Sequence, residues 1–223
     1  MTSVLLNARR FYQALKSLLA LVGLAALAAY IVVPQLPTMP LAAGLPSFAP
    51  VAPAAAAAAE LPTALADAAL EREQEAVAEY IARRYRIADN AATHFVAIAY
   101  RAAEQHRLDA LLVLAVMAIE SRYNPVAESV MGAKGLMQVI PKYHQEKLFE
   151  HGGDQALLEP EVNIQVGTKI LREYLRRSGE TESALEMYLG IGSPDELYTS
   201  KVLAERARLR QLAERAKRLA ASS

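Results

Sequence analysis

The chain contains no cysteine among its 223 residues. This absence excludes a disulfide framework, a thiolate metal site and a cysteine nucleophile. It does not exclude an oxidising compartment, because a chain of this length can bury enough apolar surface to fold without disulfides.

The chain also lacks a charge surplus and a paired-histidine pattern. Lysine plus arginine and aspartate plus glutamate each total 24, whereas nucleic-acid-binding proteins usually carry a basic surplus. The four histidines form neither an HxH nor an HxxxH pair, so no single element presents two imidazole ligands. We therefore expect no nucleic-acid partner, no metal site and no cofactor.

Aromatic residues and strand patterns are scarce as well. Aromatic residues make up 6% of the chain, and no alternating apolar pattern extends beyond about four residues. The apolar excess consists mostly of alanine and leucine, which favour helices. The composition therefore predicts an all-α protein.

The first 33 residues have the pattern of a membrane-targeting segment. Two arginines and a lysine precede 17 uncharged residues, Ser17 to Val33, a length near the lower limit for spanning a bilayer. The basic flank predicts that the N-terminus stays in the cytoplasm. A signal peptide cleaved near Ala28 and an uncleaved anchor both fit residues 1–33. We favour the anchor because the apolar stretch continues beyond that small-residue site.

A proline- and alanine-rich segment follows the targeting segment. Seven of the eleven prolines and ten alanines lie between Pro34 and Pro62. This composition disfavours regular structure and predicts a linker over residues 34–63, although the six-alanine run Ala54–Ala59 can be locally helical. The order of anchor, linker and domain places the domain outside the cytoplasmic membrane.

From Ala64 onward the apolar spacing is that of helices. Residues 64–107 are predicted to form N-terminal helices that pack on the following domain, with Asn90 capping the second helix and Asp109 capping a third that runs to Glu120. Further helices are expected over residues 141–149, 160–177, 182–189 and 194–220. The basic C-terminal helix, residues 203–223, is interpreted as a solvated helix, with contact to an anionic glycan or lipid as the alternative.

The third predicted helix points to acid chemistry. Nine consecutive apolar residues, from Leu111 to Ile119, precede Glu120, so its carboxyl group lies on an apolar wall. Desolvation there raises a carboxyl pKa toward the range of a general acid. The loop that follows supplies polar groups suited to a sugar, the Ser129 hydroxyl and the Gln138 amide.

The residues after Glu120 resemble a known family. The resemblance rests on Glu120-Ser121, Tyr123-Asn-Pro-x-Ala-x-Ser129, Gly132-Ala-x-Gly-Leu-Met-Gln138 and Pro141, and on a second motif, Glu159-Pro-Glu-Val-Asn-Ile-Gln-Val-Gly167 with Leu171. This pattern is similar to that of the soluble lytic transglycosylase catalytic domain and covers residues 108–202. The resemblance implies a lysozyme-like helical lobe, similar in fold to goose-type lysozyme, with a glycan-binding groove.

The resemblance also implies a reaction. The family cleaves the β-1,4 bond between N-acetylmuramic acid and N-acetylglucosamine in peptidoglycan without consuming water, and forms a 1,6-anhydro ring. Its single catalytic glutamate falls on Glu120, and its substrate-contacting serine and glutamine fall on Ser129 and Gln138. Tyr188 matches a tyrosine that lies beside the catalytic glutamate in the family, and we expect it to bind substrate as well. Peptidoglycan strands are thus the expected partner, and the periplasm the expected location, with the inner membrane as a second partner if residues 1–33 are uncleaved.

The third motif departs from the family pattern. The family has Ala-Tyr-Asn-Ala-Gly where this chain has Glu186-Met-Tyr-Leu-Gly190. Tyr188 matches the tyrosine, but Leu189 replaces the asparagine, which puts the detailed shape of the groove in question. Tyr198, a little further on, is assigned to either the groove wall or core packing.

Two alternative functions stay open on the sequence. A hydrolytic muramidase would use Glu120 with a second carboxylate, for which Glu128 is the nearest downstream candidate. A catalytically weak glycan-binding or scaffold module of an envelope assembly would fit the altered third motif. The sequence names no partner within such an assembly.

Overall fold

The computed structural model describes the backbone of residues 54–190 and 197–221 and the side chains of residues 66–190 and 197–220. The predicted targeting segment, residues 1–33, and the linker up to residue 53 lie outside this range. Within it, no helix is both long and apolar enough to cross a membrane.

The described residues form helices joined by short turns and by one 20-residue loop between Glu120 and Pro141. The α-helices are α1 (Ala54–Tyr85), α2 (Asp89–His106), α3 (Ala110–Glu120), α4 (Gln145–Leu148), α5 (Pro160–Ser178), α6 (Thr181–Leu189) and α7 (Tyr198–Ala221), with 3₁₀ turns at Pro141–Tyr143, Phe149–His151 and Asp154–Leu158. The described range contains no strand, only isolated bridges that join Lys134 to Glu128 and to Val139. The all-α prediction is confirmed.

Three local predictions differ in outcome. Asp109 caps α3 as predicted, since its Oδ1 accepts a hydrogen bond from the Leu111 N–H at 2.9 Å. The prediction for Asn90 was wrong: the N-cap position is the extended Ala88, two residues earlier, and Asn90 lies inside the first turn of α2, which begins at Asp89. The expected helix over residues 141–149 is divided at His144, whose φ of −138° is not helical.

The start of α1 lies further upstream than the apolar spacing indicated. It begins at Ala54, so residues 54–63 of the predicted linker are helical and the helix continues past Pro62. Alanine has the highest helix propensity, which explains the start within the six-alanine run.

Helix α3 lies at the centre of the core. Every side chain from Leu111 to Ala118 is buried, as expected of a helix that is apolar on all sides. Helix α7 packs against both α1 and α3, α2 packs against α1, α3 and α5, and α5 packs against α6. The last residue of this central helix is Glu120, so the core fixes its position.

Candidate active site

The end of α3 is tied to the loop that follows it. The Ser121 hydroxyl lies 3.2 Å from the Met117 carbonyl and 2.7 Å from the Leu136 carbonyl, so it bridges the last turn of α3 to the loop. This bridge holds the adjacent Glu120 at a defined distance from residues 127–138.

Asn163 of α5 holds the same loop from the opposite side. This fully buried side chain accepts a hydrogen bond from the Met137 N–H at 2.7 Å and donates to the Lys134 and Leu157 carbonyls, each at 2.8 Å. Because every polar atom of its amide group is satisfied by backbone, Asn163 has a structural role rather than a substrate contact.

Gly135 is required where Asn163 meets the loop. Its φ is +72°, and a Cβ built on it would lie 2.2 Å from Asn163 Nδ2 and 2.3 Å from the Leu157 carbonyl oxygen. No other residue type fits both the backbone conformation and the space. The second sequence motif therefore contributes Asn163 to hold the loop of the first motif.

Glu120 receives a hydrogen bond from a residue far along the chain. The Tyr198 hydroxyl, at the first residue of α7, donates to Glu120 Oε1 at 2.6 Å. Burial raises the pKa of Glu120 from 4.5 to about 7, and this hydrogen bond opposes the rise because it stabilises the carboxylate. Glu120 can thus hold a proton near neutral pH. When it releases the proton, the Tyr198 hydrogen bond stabilises the carboxylate that remains.

An open cavity of about 410 Å³ surrounds Glu120 and brings the four predicted site residues together. Its described lining residues are Glu120, Ser129, Met131, Ala133, Gln138, Val139, Ile140, Tyr143, His144, Ile170, Tyr174, Met187, Tyr188, Leu189 and Gly190. Most of these side chains are apolar, and Glu120 is the one carboxylate among them. The cavity is thus an apolar groove with an acid and a few polar groups.

The polar residues of the groove differ in how much of their bonding capacity is free. Ser129 is exposed, and its Oγ accepts the Ala133 N–H at 3.0 Å while its own proton remains able to donate. The Gln138 amide nitrogen donates to the Ala127 and Gly135 carbonyls at 3.1 and 3.0 Å. Its amide oxygen accepts no hydrogen bond from the described residues.

Tyr188 is positioned by the protein rather than left free. Its hydroxyl donates to the Met137 carbonyl at 2.9 Å, and its ring meets Tyr174 edge to face at 6.3 Å. Burial, with a smaller contribution from the charge of Glu120, raises the pKa of Tyr188 well above its ordinary value. Tyr188 therefore stays neutral and presents its ring, more than its hydroxyl proton, to the groove.

Glu128 lies outside this constellation. Its carboxylate pairs with Lys134 Nζ at 3.1 Å, its side chain is 51% exposed, and it does not line the cavity. Nor does the described part of the chain contain a group of three or more histidine, aspartate or glutamate side chains placed to hold a metal ion.

Tyr198 is the site residue that the sequence did not resolve. The motifs end before it, and the alternatives of groove wall and core packing both missed its bond to Glu120. The sequence did contain one signal for Tyr198, the apolar stripe of α7. Tyr198 precedes Val202 and Leu209 at helical spacing, which indicates that the tyrosine faces the core.

Comparisons with known proteins match the part of the chain that holds this site. Residues 97–196 match the family described as Transglycosylase SLT domain. The chain is 39% identical over 71 residues to the soluble lytic murein transglycosylase of Salmonella typhimurium, covering 30% of this chain and 11% of that protein. It is 35% identical over 89 residues to membrane-bound lytic murein transglycosylase C of Sodalis glossinidius, covering 37% and 25%.

A solved structure is also similar in part. An inactive mutant of the lytic transglycosylase Slt from Pseudomonas aeruginosa aligns with a TM-score of 0.46 and 24% identity, over 52% of this chain and 24% of that chain. The chain thus spans about a quarter or less of the length of these proteins. The matched segment holds Glu120, Ser129, Gln138, Tyr188 and Asn163, and residues 97–196 of this chain are accordingly an SLT-like domain, similar to the transglycosylase SLT domain family.

Proposed function

We propose that the protein is a peptidoglycan lytic transglycosylase that cleaves the N-acetylmuramic acid–β-1,4–N-acetylglucosamine bond and leaves a 1,6-anhydro end. The observation that carries this proposal is Glu120, a carboxyl group with a pKa of about 7 on the wall of an open groove. The family match and the lytic murein transglycosylase relatives support the substrate.

One carboxyl group is sufficient for this reaction. Glu120 donates its proton to the glycosidic oxygen as the bond to the anomeric carbon breaks, and the substrate's own N-acetyl group stabilises the positive charge. The Glu120 carboxylate then takes the proton from the muramoyl C6 hydroxyl, whose oxygen bonds to the anomeric carbon. The proton returns to Glu120, no water is consumed, and the Tyr198 hydrogen bond stabilises the anion between the two steps.

We assign substrate contacts to the remaining predicted residues. The Ser129 hydroxyl proton and the Gln138 amide oxygen supply one donor and one acceptor, which suit the acetamido and hydroxyl groups of the sugars. Tyr188 contacts the substrate through its ring, since its hydroxyl is used by the Met137 carbonyl. Leu189 adds an apolar surface where the family has asparagine.

We also infer where the protein acts. The uncharged run over residues 17–33 and the proline- and alanine-rich segment over residues 34–63, whose last ten residues begin α1, are the features that favour a periplasmic domain held at the inner membrane. The division into a catalytic domain at 108–202, supporting helices at 64–107 and a C-terminal helix at 203–223 belongs to the same proposal. The name of the membrane-bound relative supports the membrane location.

The test is digestion of purified peptidoglycan by the full chain in detergent, with mass spectrometry of the released fragments. We expect muropeptides one water lighter than hydrolysis products from the wild type and from Glu128→Gln, and no products from Glu120→Gln. Glu128→Gln is the matched control because it removes a carboxylate that lies outside the groove.

Two results would contradict the proposal. Hydrated reducing ends that disappear in Glu128→Gln would establish a hydrolytic muramidase with two carboxylates. No products from a folded wild type that still binds glycan would establish a binding or scaffold module.

A further inference from the structure

Helix α7 buries a carboxylate where its packing stripe predicts an apolar residue. The stripe consists of Tyr198, Val202, Glu205, Leu209 and Ala213, each at most 3% exposed. A charged group in such a stripe is costly unless it is fully paired. We therefore expect the buried Glu205 carboxylate to have hydrogen-bond and ion-pair partners that offset the cost of its burial.

The partners of Glu205 come mainly from α1. The hydroxyls of Tyr80 and Tyr85 both donate to Glu205 Oε1, at 3.1 and 2.8 Å. Arg84 lies 3.8 Å from the same oxygen, and Arg208 contacts the other oxygen at 2.8 Å. Burial and the neighbouring Glu205 charge both raise the pKa of Tyr85, so the tyrosine remains a donor.

A second carboxylate connects α7 to the beginning of α3. Asp109 Oδ2 accepts from Arg206 at 2.6 and 2.7 Å and from Arg210 at 2.7 Å. The other oxygen of Asp109 caps α3 through the Leu111 N–H. Asp109 thus joins α7 to the first turn of the helix that ends at Glu120.

These contacts make α3 and α7 antiparallel neighbours that meet at both ends. Asp109 and Arg206 meet at one end, and Glu120 and Tyr198 meet at the other. Tyr198 and Glu205 are seven residues apart, about 10 Å of helix rise and close to two full turns, so they share one face. A slip of α7 by one residue would move Tyr198 by about 1.5 Å and rotate it by about 100°, and its bond to Glu120 would be lost.

We propose that Glu205 and Asp109 are positioning residues for Glu120, because they fix the register and rotation of α7 and so hold the Tyr198 hydroxyl on the Glu120 carboxylate. Helix α1 and the whole of α7 lie outside the family match at residues 97–196. The site is therefore completed by helices that flank the matched domain. The catalytic consequence rests on the proposed transglycosylase function, whereas the geometric one does not.

Different titratable and charged groups face Glu205 and Glu120. Those that face Glu205 are Tyr80, Arg84 and Tyr85 from α1, Tyr123 from the segment after α3, and Arg208 from α7 itself. Among the described residues, those around Glu120 are Tyr198, Tyr188, and the groove residues Tyr143, His144 and Tyr174. The two sets are separate, so a change at Glu205 reaches Glu120 through the position of α7.

The experiment measures Glu120 directly, by ¹³C NMR titration of the glutamate carboxyl carbons in the full chain in detergent, with Glu120→Gln to assign its signal. The variants are Glu205→Gln, Tyr80→Phe/Tyr85→Phe and Asp109→Asn. Asp109→Asn retains a good N-cap while it removes the charge that holds both arginines. Glu161→Gln is the matched control, because it removes one charge from an exposed pair with Arg101.

We expect each of these three variants to raise the pH at which Glu120 titrates, as Tyr198→Phe should. Each should also lower kcat several-fold with little change in KM. Glu161→Gln should match the wild type in both measurements. Combining Asp109→Asn with Tyr198→Phe should add little to Tyr198→Phe alone, since both act through the same hydrogen bond.

The proposal would be overturned if the folded variants lose thermal stability while Glu120 titrates as in the wild type. If Glu205→Gln does not fold, Asp109→Asn decides the matter by the same criterion. If the wild type releases no anhydro-muropeptides but the titration shifts as expected, the proposed function fails and the positioning role stands.

Discussion

The pKa of Glu120 results from two opposing effects of its surroundings. Burial at the end of α3 favours the neutral acid, and the Tyr198 hydroxyl favours the carboxylate. The proposed reaction uses Glu120 first as acid and then as base. It needs both effects, because a pKa far from the working pH would disable one of the two steps.

Tyr198→Phe tests this balance with the loss of one oxygen atom. Without its hydrogen bond, the pKa of Glu120 should rise above its present value of about 7. The fall in kcat/KM at alkaline pH, where Glu120 loses its proton, should move to higher pH, and kcat should decrease roughly 10-fold or more because the anion is less stabilised. The pH–rate profile measures both effects. An unchanged alkaline limb would show that Tyr198 does not act on Glu120.

The groove also exposes a side chain that packing does not explain. Tyr143 is 64% exposed and lines the cavity with Glu120. Exposed apolar surface at a cleft usually marks a ligand contact. We expect Tyr143→Ala to raise KM for glycan several-fold and to change the free energy of unfolding by less than about 0.5 kcal/mol.

Phe149→Ala is the matched control for Tyr143→Ala. Phe149 is 88% exposed and lies outside the cavity lining. Steady-state kinetics with soluble glycan fragments compares the two variants. Equal KM values for both would remove Tyr143 from the binding surface.

At the scale of elements, the loop between α3 and α4 depends on two glycines of different kinds. Gly132 and Gly135 both have positive φ, +81° and +72°, but a Cβ on Gly132 meets nothing within 4 Å whereas one on Gly135 collides with Asn163 and the Leu157 carbonyl. We expect Gly132→Ala to cost about 1–2 kcal/mol of stability from backbone strain alone. Gly135→Ala should cost clearly more and also lower kcat, because the loop that carries Gln138 must move.

Urea unfolding and kinetics of both alanine variants measure this difference. Both positions have positive φ, so the backbone strain is common to the two variants. The difference between their unfolding free energies therefore measures the cost of the Cβ collision at Gly135. Similar unfolding free energies for the two variants would mean that the contact between Asn163 and the loop gives way at little cost.

Most helices could be predicted from the sequence, and the exceptions have local causes. Helices α5 and α6 follow apolar periodicity, and α3 follows a continuous apolar run. The Asp109 cap and Pro160 at the first turn of α5 mark where α3 and α5 begin. The prediction for Asn90 was wrong because the sequence does not distinguish a capping residue type at the N-cap from the same residue type just inside the helix. His144 interrupts a helical pattern through its backbone conformation, which composition does not encode.

The candidate site was predictable only where its residues are close in sequence. Glu120, Ser129 and Gln138 lie within one motif, and Tyr188 lies within another. The bond from Tyr198 joins residues 78 positions apart, and the partners of Glu205 lie at least 120 positions away on α1. Such pairings depend on how helices pack, which apolar periodicity locates on a face but not against a particular neighbour.

At the scale of the whole molecule, the raised pKa of Glu120, which the proposed reaction requires, should destabilise the fold near neutral pH. The folded state holds the Glu120 proton up to about pH 7, whereas an unperturbed carboxyl releases it near 4.5. The unfolded chain therefore gains stability relative to the folded one as pH rises through this interval, by about 3 kcal/mol in total. The stability associated with Glu120 is fully present below about pH 4.5 and is lost as pH rises to about 7.

Glu120→Gln should remove this pH-dependent loss, because glutamine is neutral at every pH. Urea unfolding of the wild type and of the variant at about pH 4.5 and about pH 8 measures the difference between them. We expect the variant to gain about 3 kcal/mol relative to the wild type between the two conditions, since all other titrating groups are common to both. A parallel pH dependence would place the folded-state pKa of Glu120 near its ordinary value. The groove would then lack the neutral acid on which glycosidic bond cleavage depends.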